Sequence, residues 1–382
     1  MDFALTQDQI SLKNDIINFA RKELNDNIIE RDKEGEFSRE LWLKCANMGI
    51  LGLPIDEKFG GLGLDAVSTA IALEAFGYGC EDSGLVFSIC AHLLACTIPI
   101  WKFGNDKQKQ KYLPKLIDGS LIAVNGMTEP SSGSDAFNMS TKAARTEHGY
   151  KINGTKTFSS NGPVADLAVL YALTDSSKGY YGGVSVFLLE SNTKGYNPGQ
   201  KFDKMGLRTS PIGELVLEDV EVTDNALLGG LGAGPVIFNY SMDWERICIA
   251  ATHVGKIQRL LEIAISYSKT RKAAGQKISN YQAISHKIAD IKIRLEAARF
   301  LVYHAAWMLD QKKNVTMHAS ITKVFVSESL LKIASDVLQI LGGYGFMTEY
   351  EVERAVRDSY GSTIYSGTNE VQRNIIARWL GL

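Results

Sequence analysis

Residues 150–160 read YKINGTKTFSS, and residues 167–173 read LAVLYAL. Both runs are short, rich in β-branched and aromatic residues, and bounded by Gly, Asn, Asp and Ser, the pattern of antiparallel strands. LIAVNGM (121–127), GVSVFLLE (183–190) and GELVLEDVEV (213–222) repeat it. Together they predict a β domain over residues 121–230. On either side the apolar period changes from two to between three and four. LTQDQISLKNDIINFARKEL (5–24) reads as a helix, with Thr6 as its cap and Gln9 completing a capping box. PIDEKFGGLG (54–63) reads as a loop, and NDKQKQKYLPKL (105–116) as an amphipathic surface stretch. GGLGAGP (229–235) reads as a hinge, and three long helical patterns follow at 242–271, 281–310 and 319–340. The predicted fold is mostly α with a central β domain. A helical domain occupies residues 1–120, the β domain 121–230, and a helical bundle 231–382.

The chain has 382 residues, enough for two or three substantial cores. Forty-one Lys and Arg against 43 Asp and Glu leave a net charge of -2, which gives no electrostatic case for nucleic acid. The five cysteines form no CxxC pair and lie among apolar neighbours. They read as buried free thiols in a reducing, cytoplasmic setting. No basic segment followed by an apolar run opens the chain, and no run of eighteen apolar residues predicts a membrane span. None of the six histidines has metal-ligand spacing, so no metal site is predicted.

No GxGxxG follows a predicted strand, which removes support for a nucleotide-binding α/β unit. GGYG (342–345) has two readings, a helix C-terminus with a turn or backbone held close to a flat or phosphorylated ligand. Arg246, Arg271 and Arg357 read as helix-surface charges. Glu245, in MDWER, is either ion-paired or raised in pKa by burial, and the residues alone favour pairing.

Seven segments then stand in one order: MTEPSSGSD (127–135), NGTKTFSSNG (153–162), KMGLR (204–208), ELVLEDV (214–220), RKAAGQKISNYQ (271–282), QILGGYGFMTE (339–349) and IYSGTNEVQR (364–373). In these the chain resembles the acyl-CoA dehydrogenase family over nearly its full length. The resemblance implies the acyl-CoA dehydrogenase fold: an N-terminal helical domain, a middle β-barrel-like domain and a C-terminal four-helix bundle. It implies non-covalent FAD and a homo-oligomer, dimer or tetramer. Carried over by position, Met127, Thr128, Ser134, Phe158 and Ser160 line the flavin from the β domain. Thr128 and Ser160 offer hydroxyls to the ring edge, Phe158 replaces the commoner tryptophan, and Ser134 lies by the pyrophosphate. Arg271 faces the phosphates of a neighbouring subunit's cofactor, and Ala274 departs from the common phenylalanine. Gln282, Gln339 and Gly343 approach the ribityl and adenosine half, and Thr368 and Glu370 lie near the cofactor.

The last segment carries the decisive departure. The family usually reads IYEGT there, with the glutamate as catalytic base, and this chain has Ser366 in that slot. A serine cannot deprotonate a carbon acid. Glu245 matches the position of the base in the isovaleryl-CoA dehydrogenase branch, so the resemblance gives it that role. Arg246 beside it orients the carboxylate or anchors the helix. The Ser366 N–H keeps the contact to the thioester oxygen. A relative that has lost its base and kept only a scaffold is the rival that Ser366 alone supports.

Ser366 and the SSNG variant also resemble L-prolyl-carrier-protein dehydrogenases and oxidases of natural-product pathways, among them a flavoprotein oxidase of cyanobacterial anatoxin biosynthesis. That implies a prolyl thioester on the phosphopantetheine arm of an acyl or peptidyl carrier protein, α,β-oxidation, and oxygen as final acceptor. The stretch around His92 loosely resembles the isovaleryl type. It supports the alternative of a short or branched acyl-CoA whose electrons pass to an electron-transferring flavoprotein.

Overall fold

The computed structural model describes residues 4–382. Seven helices come first: α1 (Gln7–Glu23), α2 (Ile28–Glu34), α3 (Arg39–Asn47), α4 (Ala66–Gly79), α5 (Ser83–His92), α6 (Ile98–Phe103) and α7 (Asp106–Ile117). The capping box predicted at Thr6 is present. Its hydroxyl accepts from Gln9 N at 3.2 Å, and the Gln9 side chain accepts from Thr6 N at 3.0 Å. A π-helical turn, Leu93–Thr97, joins α5 to α6, so Ser83–Phe103 is one continuous rod. By length and composition the rod could cross a membrane, at a mean hydropathy of 1.8. Its most apolar window is 83% buried inside the protein, which explains the composition as that of a core helix.

His92 ends α5 and is fully buried. One ring nitrogen lies 3.0 Å from Leu116 O, and the other accepts from Ala123 N at 3.0 Å. It is a brace between α7 and the first strand. Burial pushes its pKa down to about 4, so the ring is neutral. The structure thus gives His92 a packing role.

The central sheet has eight strands: β1 (Ala123–Gly126), β2 (Lys142–Arg145), β3 (Gly149–Ser160), β4 (Leu167–Leu173), β5 (Val184–Glu190), β6 (Tyr196–Lys201), β7 (Ile212–Thr223) and β8 (Leu227–Leu228). The order is β6-β7-β3-β2-β4-β5-β8, with β1 added parallel to β4. β4 is apolar throughout because both its faces are covered. Leu167, Val169 and Tyr171 join the large helical core, whereas Ala168, Leu170 and Ala172 join a second core with Ile152, Phe187 and Leu189. Period-two alternation therefore sorts one strand into two cores.

After a glycine-rich hinge, Pro235 opens α8 (Gly234–Thr270). A small hairpin, β9 (Lys272–Ala273) and β10 (Gln276–Lys277), leads to α9 (Gln282–Asp310), α10 (Thr316–Leu341), α11 (Glu351–Ser362) and α12 (Asn369–Trp379). α8 runs for 37 residues, about 55 Å at the helical rise, and packs on α4, α9 and α10. Its crossing with α4 is unusually close because glycines face each other. A Cβ on Gly77 would lie 2.1 Å from Thr252 O, and one on Gly255 would lie 2.1 Å from Glu74 O. That crossing fixes the depth of α8, and with it the placement of Glu245. All five cysteines are buried and free.

Candidate active site

Glu245 projects from the first third of α8 and is 8% exposed. The Ser366 hydroxyl, in the turn before α12, donates a hydrogen bond to its carboxylate. Burial raises the pKa values of Cys90, Cys96, Tyr171 and Tyr365, and the charge of Glu245 adds to each rise. No cation lies within ion-pairing distance of Glu245 among the described residues, so the residue-only preference for pairing does not hold. Burial raises its pKa, and the Ser366 hydrogen bond and the Arg246 charge oppose that rise. A buried carboxyl held above its ordinary range suits a base working near neutral pH.

Ser366 has a φ of 57°, in the left-handed region. Two donors hold its carbonyl: Arg246 Nε at 3.2 Å and Gln372 Nε2 at 3.1 Å. Gln372 Nε2 also reaches Gly367 O at 3.1 Å. Arg246 is 6% exposed, not the helix-surface charge its sequence context suggested. Its hydrogen bond goes to the Ser366 backbone and not to the Glu245 carboxylate. Among the described residues, the Ser366 N–H has no acceptor.

Tyr365 precedes this turn. Its hydroxyl lies 2.8 Å from His253 Nε2, and its ring packs on Phe87 with centroids 4.5 Å apart. Behind it lies a cavity of about 40 Å³ lined by Phe87, Cys90, Ile249, His253, Lys256 and Asp358 among others. Burial holds His253 neutral, with its pKa down at about 3.

Four of the predicted cofactor residues, Met127, Thr128, Phe158 and Ser160, share one rim of the β domain. Thr128 O accepts from Thr157 N at 2.9 Å, which lays the strand end carrying Met127 and Thr128 beside the one carrying Phe158 and Ser160. The β3–β7 register breaks between Lys156 and Ser159. Within that bulge Phe158 takes a φ of 51° and is 63% exposed, its ring tilted by 42° against Phe202 at a centroid distance of 5.5 Å. Neither the Thr128 nor the Ser160 hydroxyl has a hydrogen-bond partner among the described residues. An exposed aromatic flanked by two free hydroxyls fits a flat ring system with a polar edge. Ser134 is exposed in the loop after Met127.

A buried ion pair shapes that loop. Lys156 Nζ lies 2.8 Å from Glu129 Oε1 and donates to Met127 O at 3.1 Å. Glu129 in turn accepts from Ser140 N, the Ser140 hydroxyl and Thr141 N. Burial pushes the Glu129 carboxyl up, but the Lys156 charge and these donors outweigh it and hold the pKa down at about 2.

The remaining candidates divide. Thr368 caps α12 by accepting from Val371 N at 3.3 Å, and Glu370 is exposed in the first turn of that helix. Arg271, Gln282, Gln339 and Gly343 are all exposed. The Arg271 guanidinium lies over the Tyr344 ring at 5.7 Å, so the two glycine- and arginine-bearing segments meet. They meet at the far end of α8, about 39 Å from Glu245 by the helical rise. One chain does not bring this group to its own Glu245. Sequence reasoning passed over Gln372, Tyr365, Lys156 and Glu129, although each lies inside a quoted segment. Nothing in the spacing marks Phe87, Cys90 or His253.

The chain matches the acyl-CoA dehydrogenase N-terminal domain over residues 6–120, the middle domain over 125–220 and the C-terminal domain over 232–381. It is 40% identical over 382 residues to an L-prolyl-[peptidyl-carrier protein] dehydrogenase of Serratia sp. (strain ATCC 39006), covering 100% of this chain and 99% of that protein. The crystal structure of the prolyl acyl carrier protein oxidase AnaB superposes with a TM-score of 0.97 at 41% identity, covering 99% of this chain and 100% of AnaB. PigA with FAD and proline superposes with a TM-score of 0.98 at 40% identity, covering 100% of each chain.

Proposed function

We propose that this chain, which belongs to the acyl-CoA dehydrogenase family, is an FAD-dependent enzyme that oxidises a prolyl thioester borne by a carrier protein. The observation that carries this reading is the Ser366 hydrogen bond to the buried Glu245 carboxylate. The similarity to prolyl-carrier-protein dehydrogenases supports the acyl group, and the similarity to AnaB supports an oxidase. The rim of Thr128, Phe158 and Ser160 holds the flavin edge. Arg271, Gln339 and Gly343, too far from their own Glu245, serve the cofactor of a neighbouring subunit in a homo-oligomer.

Glu245 removes the α proton of the thioester. Its raised pKa brings it closer to the acidity of that carbon than an exposed carboxylate would be. The unpartnered Ser366 N–H donates to the thioester oxygen, where charge develops as the proton leaves. What FAD supplies when bound is an acceptor for the β hydride and a route for its two electrons to oxygen. Ser366 in place of a glutamate also keeps a second carboxylate away from Glu245. Two carboxylates sharing the site would repel and hold one of them protonated. A pyrrolidine nitrogen, cationic beside the reacting carbon, finds acceptors in Glu245 and the Ser366 oxygen.

Anaerobic mixing of the flavin-loaded protein with prolyl-loaded carrier protein, and separately with isovaleryl-CoA, tests the reading. Rapid bleaching by the carrier thioester, then peroxide on admission of air, is the expected result. Bleaching by isovaleryl-CoA alone returns the chain to acyl-CoA breakdown.

A further inference from the structure

Ser366 carries two tasks in this account, and its backbone is in a conformation that a serine adopts only at a cost. A non-glycine residue at a φ of 57° persists where its surroundings hold it. The neighbours that do so are visible. Gln372 is fully buried, and its Nε2 bridges the carbonyls of Ser366 and Gly367 at 3.1 Å each. A Cβ on Gly367 would lie 2.7 Å from that same nitrogen, so the amide sits tight under the turn. Gln372 Oε1 is buried with no partner, so only the donor end of the amide is used. Arg246 Nε provides the second donor to the Ser366 carbonyl. The position of α12 is secured separately. Asn369 takes Lys323 Nζ at 2.7 Å on its oxygen and donates to Ser327 at 3.1 Å.

We propose that Gln372 is a positioning residue: with Arg246 it clamps the Ser366 carbonyl, so that the serine hydroxyl meets Glu245 and the serine N–H is left free for the thioester oxygen. A peptide plane is rigid. Fixing the carbonyl at Ser366 and φ on its other side leaves the side chain and the N–H few directions to point. Without the Gln372 amide, two part-buried carbonyls lose a donor, and the turn is free to relax out of the left-handed region.

The proposal rests on Glu245 being the base, which the Glu245→Gln variant tests by itself. The clamp is tested with Gln372→Met, which keeps the volume, drops the donor and strands no new polar atom on the side chain. Gln372→Asn, which draws the amide back by one methylene, is the second variant. Both are prepared with flavin bound, and flavin absorbance and Tm report the fold. The pH dependence of flavin reduction is then compared with Ser366→Ala and with the Gln372→Met/Ser366→Ala double variant. The clamp predicts that each Gln372 variant moves the acid limb to higher pH, in the same direction as Ser366→Ala. It predicts about a tenfold loss of rate on that limb, the low end of the weight of a hydrogen bond to a charged group. It also predicts that the double variant shows no further shift beyond Ser366→Ala. Three results overturn the clamp: a Gln372 variant that loses rate equally at all pH values, one that loses none, or a double variant whose shifts add in full. Should Gln372→Met lose its flavin, the Asn variant decides by the same criteria.

Discussion

Ser366 donates a hydrogen bond to Glu245 from 121 residues further along the chain. The contact opposes the effect of burial, which raises the Glu245 pKa. Removing the hydroxyl leaves burial less opposed, so Ser366→Ala raises that pKa further. The base must be ionised to act, so the rate of flavin reduction should fall at higher pH than in the parent. On the acid limb the loss is about tenfold, the low end of the weight of a hydrogen bond to a charged group. A pH–rate profile of anaerobic reduction checks this. An unmoved acid limb would show that the hydroxyl does not tune the base.

Lys156→Met should destabilise the protein by about 3–5 kcal/mol, because it strands the Glu129 carboxylate where no water reaches. Denaturant unfolding measures the loss. The pH dependence carries a second signature. The depressed Glu129 pKa contributes stability that is complete above its ordinary value of 4.5 and is lost as pH falls through about 2. In the variant that acid-labile portion should vanish. Equal slopes in the two proteins would mean that Lys156 is not what holds Glu129 ionised.

His92 supplies an independent acid response. Its folded pKa lies near 4 and its ordinary value is 6.5, so the unfolded chain binds the extra proton first. Stability should therefore fall as pH drops from 6.5 toward 4. His92→Gln keeps a donor for Leu116 O and an acceptor for Ala123 N without a titrating ring. Tm measured across that window should decline less steeply in the variant, and an unchanged slope would rule out His92 as its source.

Gly77→Ala should cost about 1–3 kcal/mol through overpacking, since the new methyl meets the Thr252 carbonyl and backbone must move. The strain falls on α8 and so on Glu245. A lower Tm together with slower flavin reduction is expected. A fully stable variant would show that the two helices separate without cost.

Much of this was legible in the chain. The strands of the middle region follow from their β-branched and aromatic content, whereas the covering of β4 on both faces is a finding of the structure. The Thr6 capping box needs only local spacing. Glu245 and Ser366 were singled out from two distant segments. What stayed hidden was the bond between them, because no spacing rule joins an α8 residue to a turn at the other end of a bundle. Burial reversed two local readings, the preference for an ion pair at Glu245 and the surface placement of Arg246. Both depend on what covers the helix, which its own period does not state. Gln372 was invisible for a related reason, since its amide matters only through a carbonyl six residues earlier, at Ser366.

The most direct test is anaerobic reduction of the flavin-loaded Glu245→Gln variant by prolyl-loaded carrier protein. The substitution keeps size and a polar head and removes only the capacity to take a proton. The account predicts normal flavin content, an unchanged Tm or a slightly higher one, and no bleaching on the timescale of the parent. Bleaching at the parental rate would contradict it, and would place the base elsewhere than on α8.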